Sequence, residues 1–86
     1  MKIAVISAIL EEPNKCNIEF NEVVGNFRGK IKGRMGIPLE NETSVISIVV
    51  TGDLNEINSL TGKLGNIPGV TVKTAIAKKE ISTENF

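Results

Sequence analysis

The spacing of the hydrophobic residues changes along this chain in an order that few folds accommodate. Apolar residues at every second position predict a strand, and apolar residues at helical intervals predict a helix. The pattern switches from strand to helix and back twice, which predicts the element order β-α-β-β-α-β. The six segments are residues 3–10, 13–27, 31–37, 45–51, 54–64 and 70–77.

Each predicted helix has one apolar stripe that we expect to face a sheet. We expect both helices to cover the same face of the predicted sheet. The first stripe contains Cys16, Phe20, Val23, Val24 and Phe27. The second stripe contains Leu54, Ile57, Leu60 and Leu64.

This element order is the split βαβ arrangement of the ferredoxin-like fold, an α+β sandwich whose antiparallel sheet has the order 4-1-3-2. The first and third strands, central in that order, are apolar on both faces in this sequence. The second and fourth strands carry lysines, which oppose unwanted pairing at the edges of a sheet. We predict a single domain over residues 1–79 and a flexible C-terminal tail over residues 80–86.

The residues that enzymes use most for chemistry are scarce. The chain has no histidine, which removes the commonest general base and the commonest metal ligand. Cys16, the only cysteine, lies in an apolar stripe, where a small buried hydrophobe is favoured over a reactive thiol. Glu11 and Glu12 are adjacent, so their side chains point apart and do not form an acid–base pair. We therefore predict no catalytic residues, no metal site, no cofactor and no enzyme activity.

Charge and hydropathy narrow the set of partners. Ten lysines and arginines balance ten aspartates and glutamates, whereas a nucleic-acid-binding protein usually has a basic excess. The N-terminal apolar run, about eight residues long, is too short to span a membrane. We predict a cytoplasmic protein that binds neither nucleic acid nor membrane directly.

The face of the sheet that the helices leave open is the first candidate surface. We predict that it displays five apolar residues: Ala4, Ile6, Ala8, Val45 and Val49. Apolar surface of this extent is typical of an interface, and zero net charge gives little repulsion between copies. Self-association, as a dimer or tetramer, is the simplest prediction.

The second strand offers another candidate surface. Its alternation predicts that Lys30, Lys32 and Arg34 share one face. These cations have two interpretations, a solvated edge strand or a surface that binds an anionic ligand.

Two segments carry a family resemblance: GRMGIP at residues 33–38 and LTGKLGNIPGVTVKT at residues 60–74. With the strand at residues 44–50, they resemble the iron-only hydrogenase system regulator family over residues 2–78. That family is similar to ACT domains and to the C-terminal domains of nickel regulators. Those domains are ferredoxin-like modules that oligomerise and bind small effectors between subunits.

The resemblance implies a non-enzymatic regulatory or effector-sensing module that acts as a homo-oligomer. It implies an effector at a subunit interface, near the first strand–helix loop or the segment at residues 33–38. The candidate ligand-binding residues are Glu12, Asn14, Arg34, Met35 and Gly36. Without histidine, nickel sensing is not implied. The alternative is a structural adaptor that docks a protein partner through its apolar sheet face or a sheet edge.

Overall fold

Two helices cover one face of a four-stranded antiparallel sheet in the computed structural model, which describes residues 1–82. The strand order is β2-β3-β1-β4, which is 4-1-3-2 counted from the other edge. The predicted ferredoxin-like fold is therefore confirmed. The elements are β1 (Lys2–Leu10), α1 (Pro13–Gly25), β2 (Lys30–Pro38), a short 3₁₀ helix (Glu40–Glu42), β3 (Ser44–Gly52), α2 (Leu54–Gly65) and β4 (Val70–Ile76).

Strand β1 is central and pairs along almost its whole length with two neighbours. Ile6 lies opposite Ile48 of β3 and Thr74 of β4. Alternate residues of β1 point to opposite faces, and one set is buried beneath the helices. That set is Ala4, Ile6, Ala8 and Leu10.

The prediction that Ala4, Ile6 and Ala8 lie on the open face is wrong. All three are at most 2% exposed and belong to the core. The residues of β1 on the open face are instead Val5, Ser7 and Ile9. The physical reason is that both faces of β1 are apolar, so alternation alone does not distinguish them. The predicted open-face positions of β3 are correct, since Val45 and Val49 lie opposite Ile9 and Val5.

The apolar stripes of the helices complete the core. In α1, Cys16, Phe20 and Val24 are buried, and Val23 and Phe27 pack against them partly buried. Full burial of a side chain such as Phe20 contributes about 1.5–3 kcal/mol to the free energy of unfolding. In α2, the buried residues are Ile57, Leu60 and Leu64. Leu54 departs from its predicted stripe and is exposed, because it is the first residue of the helix and lies beyond the core.

Strand β2 is an edge strand whose nine residues are all exposed. A bulge between Ile31 and Gly33 shifts the register with β3, since Ile31 lies opposite Val50 and Gly33 lies opposite the next residue, Val49. The extra residue reverses the alternation of faces. Lys30 lies opposite Thr51, which is itself buried but shares the face of Val49, whereas Arg34 lies opposite the core residue Ile48. The prediction that the three cations share one face is therefore wrong.

Met1 contacts residues 80 and 81 beside β1. The N-terminal amine forms an ion pair with Glu80, and the amide of Ile81 donates to the carbonyl oxygen of Met1 at 2.9 Å. The predicted tail extends to residue 86, and its residues 83–86 lie outside the described part of the chain. The domain boundary at residue 79 stays a prediction.

Gly29 is predicted to be essential to packing where β2 begins. A Cβ atom at this position would lie 2.4 Å from the carbonyl oxygen of Thr51 and 2.5 Å from the Phe27 ring. Gly29→Ala should therefore lower the free energy of unfolding by about 1–3 kcal/mol, measured by urea denaturation.

The matched control is Gly62→Ala in α2, where an added Cβ meets nothing within 4 Å. Alanine is the better helix former, so this change should raise stability by about 0.5–1 kcal/mol. Equal stability of Gly29→Ala and the unmodified protein would contradict the packing described.

Candidate functional site

The open face of the sheet is built from three rows that cross all four strands. Residues directly opposite one another on paired strands share a face. From β2 to β4, the rows are Gly33, Val49, Val5 and Ala75; Met35, Ser47, Ser7 and Lys73; and Ile37, Val45, Ile9 and Thr71. Lys73 is the only charged residue in these three rows, which are largely apolar, and Lys30 adds a second cation on the same side, opposite Thr51.

Five large hydrophobic side chains on this face are 38–57% exposed. They are Val5, Ile9, Met35, Ile37 and Val49. A sheet area of four strands by about five residues measures on the order of 300 Å². Two apolar rows flank the row that contains Ser47, Ser7 and Lys73, and exposed apolar surface on a face of this size often has a binding role. The open face is therefore the first element of the candidate site.

Arg34 lies on the opposite side of β2 and reaches toward α1. Its guanidinium carbon lies 5.8 Å from the centroid of the Phe20 ring. Its Nη2 donates a hydrogen bond to Oδ1 of Asn21 at 2.7 Å, and Nδ2 of Asn21 donates to Oδ1 of Asn17 at 3.2 Å. These contacts orient the guanidinium between β2 and α1.

The surface beside Arg34, between β2 and the asparagines of α1, is called the α1–β2 groove below. Gly36 lies on the same side of β2, opposite Ile46, and an added Cβ there would meet nothing within 4 Å. Asn14, Asn17 and Asn21 follow at helical spacing and lie along one side of α1. Guanidinium and amide groups bind carboxylate and phosphate oxygens well. The groove is therefore suited to an anionic ligand.

Glu12 and Met35 lie outside this groove. Glu12 is the N-cap of α1, and its Oε2 forms an ion pair with Nζ of Lys15 at 2.7 Å. Glu12 and Lys15 line a separate cavity of about 250 Å³ that also contacts Ile67–Gly69. Met35 lies on the open face. The five predicted ligand-binding residues are thus divided among three surfaces, with Asn14, Arg34 and Gly36 along the groove.

Cys16 is a buried residue of the core, as predicted from its stripe position. Its Sγ lies 3.5 Å from the carbonyl oxygen of Glu12. Burial raises the pKa of the thiol, which disfavours the nucleophilic thiolate. The structure therefore supports a packing role for this side chain.

Residues 1–82 contain neither a cluster of metal ligands nor a helix that could span a membrane. In that part of the chain, no three side chains of histidine, cysteine, aspartate or glutamate are grouped closely enough to hold a metal ion. The described helices are also too short and too polar to cross a bilayer.

Several residues of the candidate surfaces were not predicted from the sequence. Asn17 and Asn21 could have been found from the helical spacing of the amides along α1. Val5 and Ile9 carried no such signal, because they alternate with residues that are equally apolar.

Comparison with known proteins gives a family match. A TM1266-like family model, described as "Iron-only hydrogenase system regulator, putative", matches residues 2–74. The solved structure of TM1266 from Thermotoga maritima, described as an uncharacterized protein, is similar with a TM-score of 0.82 and 35% identity. The match covers 90% of this chain and 98% of that one. The resemblance predicted from residues 33–38 and 60–74 is confirmed.

Other solved structures show the fold. The ACT domain of GTP pyrophosphokinase from Chlorobium tepidum matches with a TM-score of 0.74 and 18% identity, over 87% of this chain and all of that one. The C-terminal domain of MgtC from Mycobacterium tuberculosis matches with a TM-score of 0.65 and 11% identity. That match covers 91% of this chain and 89% of the MgtC domain. No curated protein sequence gives a significant match. The chain therefore has an ACT-like fold.

Proposed function

The chain belongs to the iron-only hydrogenase system regulator family, and we propose that it is a non-enzymatic regulatory module of that system. We propose that it acts in the cytoplasm as a homo-oligomer and responds to a small effector. The observation that carries this proposal is the exposed apolar face over the two central strands.

Self-association through the open face is supported by its composition. Val5 and Val49 lie opposite each other at the centre of the sheet and are each 38% exposed. Burial of apolar surface contributes about 25 cal/mol per Å² to the free energy of association. The zero net charge leaves little electrostatic repulsion between two copies of the chain. The face is smaller than the about 800 Å² per partner of a standard interface, so we expect micromolar affinity.

The effector is proposed to bind near β2, where the groove and the open face meet at one edge strand. Arg34 has five N–H donors, and one of them is used by Asn21. Gly36 leaves space beside it for a ligand. Met35 lies on the other face of β2 and would contact a second copy seated there. Binding of an anion at Arg34 and association through Met35 would thereby involve the same strand.

A structural adaptor is the second candidate function. The observation that favours it is the β2 edge, where nine consecutive residues are exposed. The outer edge of such a strand presents backbone N–H and C=O groups to which a strand of another protein can pair.

The oligomeric state tests the first part of the proposal. Val49→Lys places a charge at the centre of the open face, where burial of an unpaired charge is costly. We expect the unmodified protein to have a multiple of the 9.3 kDa chain mass at micromolar concentration, and Val49→Lys to be monomeric. Size-exclusion chromatography with light scattering measures both.

The matched control is Ile18→Lys, on the solvent side of α1, where the native side chain is 76% exposed. This variant should associate as the unmodified protein does. A strict monomer in all three proteins would contradict self-association. A monomer that captures a defined partner in a pull-down from the native cell would support the adaptor instead.

Thermal shift assays test effector sensing. Among amino acids, nucleotides and other small metabolites, we expect at least one anionic compound to raise the melting temperature. Arg34→Gln should abolish this shift, because a charge-assisted hydrogen bond contributes about 1.5–3 kcal/mol. Lys79→Gln, which changes an exposed cation away from the groove, should keep it. A complete absence of stabilising compounds would contradict the sensing role.

A further inference from the structure

The helix layer carries a cavity of about 320 Å³ at the end of α1 and along α2. It is separate from the α1–β2 groove and from the open face, which lies on the other side of the sheet. Its floor is formed by Val23, Phe27 and Leu60. Its volume is at the lower end of the about 300–1,000 Å³ of small-molecule sites.

The floor of this cavity is apolar and held in place by the core. Leu60 is buried, and Val23 and Phe27 pack against the core cluster. The Phe27 ring also packs over the backbone where β2 begins and β3 ends, since a Cβ atom added at Gly52 would lie 3.2 Å from it. The apolar floor is therefore formed before any ligand binds, which lowers the entropic cost of binding.

The rim of the cavity is polar and carries an excess of positive charge. Glu56 and Lys63 lie along one side of α2 with Ser59 between them, and Arg28 lines the cavity from the chain after α1. Two cations and one carboxylate give a net charge of +1. Within residues 1–82, the side chains of Arg28, Glu56 and Lys63 form no ion pair or hydrogen bond with other protein groups. Their hydrogen-bonding groups are available to a ligand.

We propose that this cavity binds a small organic anion that carries an apolar group, of the aryl or branched-chain carboxylate class. The apolar group covers Val23, Phe27 and Leu60, and the carboxylate is held by Arg28 and Lys63. Charge-assisted hydrogen bonds of this type are the strong ones. This site needs no second copy of the chain and does not use Arg34, so it is distinct from the proposed effector site near β2.

An NMR titration with phenylacetate tests this inference. We expect saturable chemical-shift changes at the amides of residues 26–28 and 55–63. Two matched compounds separate the contributions: phenylacetamide has the ring without the charge, and acetate has the charge without the ring. Each should bind at least about tenfold more weakly than phenylacetate, as expected on loss of about 1.4 kcal/mol.

Substitutions locate the binding site. Arg28→Gln and Lys63→Gln should each weaken phenylacetate binding about tenfold, and Ser59→Trp should abolish it by filling the cavity. All three positions are exposed, so these variants are expected to fold. Lys79→Gln is the charge-matched control and should bind as the unmodified protein does.

Val49→Lys separates this inference from the proposed self-association. It should bind phenylacetate with unchanged affinity, so the cavity can be verified even if the chain proves monomeric. Three results would overturn the inference: no saturable shifts up to about 10 mM phenylacetate, equal affinity for phenylacetamide, or shifts confined to the open face.

Discussion

The pairing of β1 with a neighbour on each side is the constraint on which the rest of this structure depends. Both edges of β1 are hydrogen-bonded, so the strand cannot rotate about its own axis. Its alternate residues therefore stay on opposite faces of the sheet. Ala4 and Ala8 have small side chains on the buried side, which allows close approach of the helices. Val5 and Ile9 are thereby directed to the open face. A shift by one residue would exchange the core and the proposed interface.

This constraint also separates the proposed activities in space. The open face is the surface proposed for self-association, whereas the α1–β2 groove and the cavity along α2 lie on the side of the helices. Strand β2 connects these regions, since Met35 faces the open side and Arg34 faces α1. Phe27 adds a second connection, because it forms the floor of the cavity and packs where β2 begins. A ligand in the α1–β2 groove or in the cavity along α2 would therefore contact residues that adjoin β2, which borders the open face.

The sequence was sufficient to predict the topology but not the direction of every side chain. Periodicity placed all six helices and strands, and the lysines of β2 and β4 identified the edges. The face of β1 was not predictable, since Ile6 and Val5 are equally apolar. The bulge at Lys32 depends on the register with β3, which alternation within one strand does not contain. Arg34 was recognised as a candidate, but its bond to Asn21 joins residues that only the tertiary fold brings together.

The most direct test of this account is the reactivity of thiols introduced at neighbouring positions of β1, in a Cys16→Ala background. Ser7→Cys lies on the open face and Ala8→Cys lies in the core. A thiol reagent should label Ser7→Cys rapidly at low protein concentration and more slowly as micromolar self-association covers the face. Ala8→Cys should label slowly at every concentration. Rapid labelling of Ala8→Cys in the folded protein, or labelling of Ser7→Cys that is independent of concentration, would contradict it.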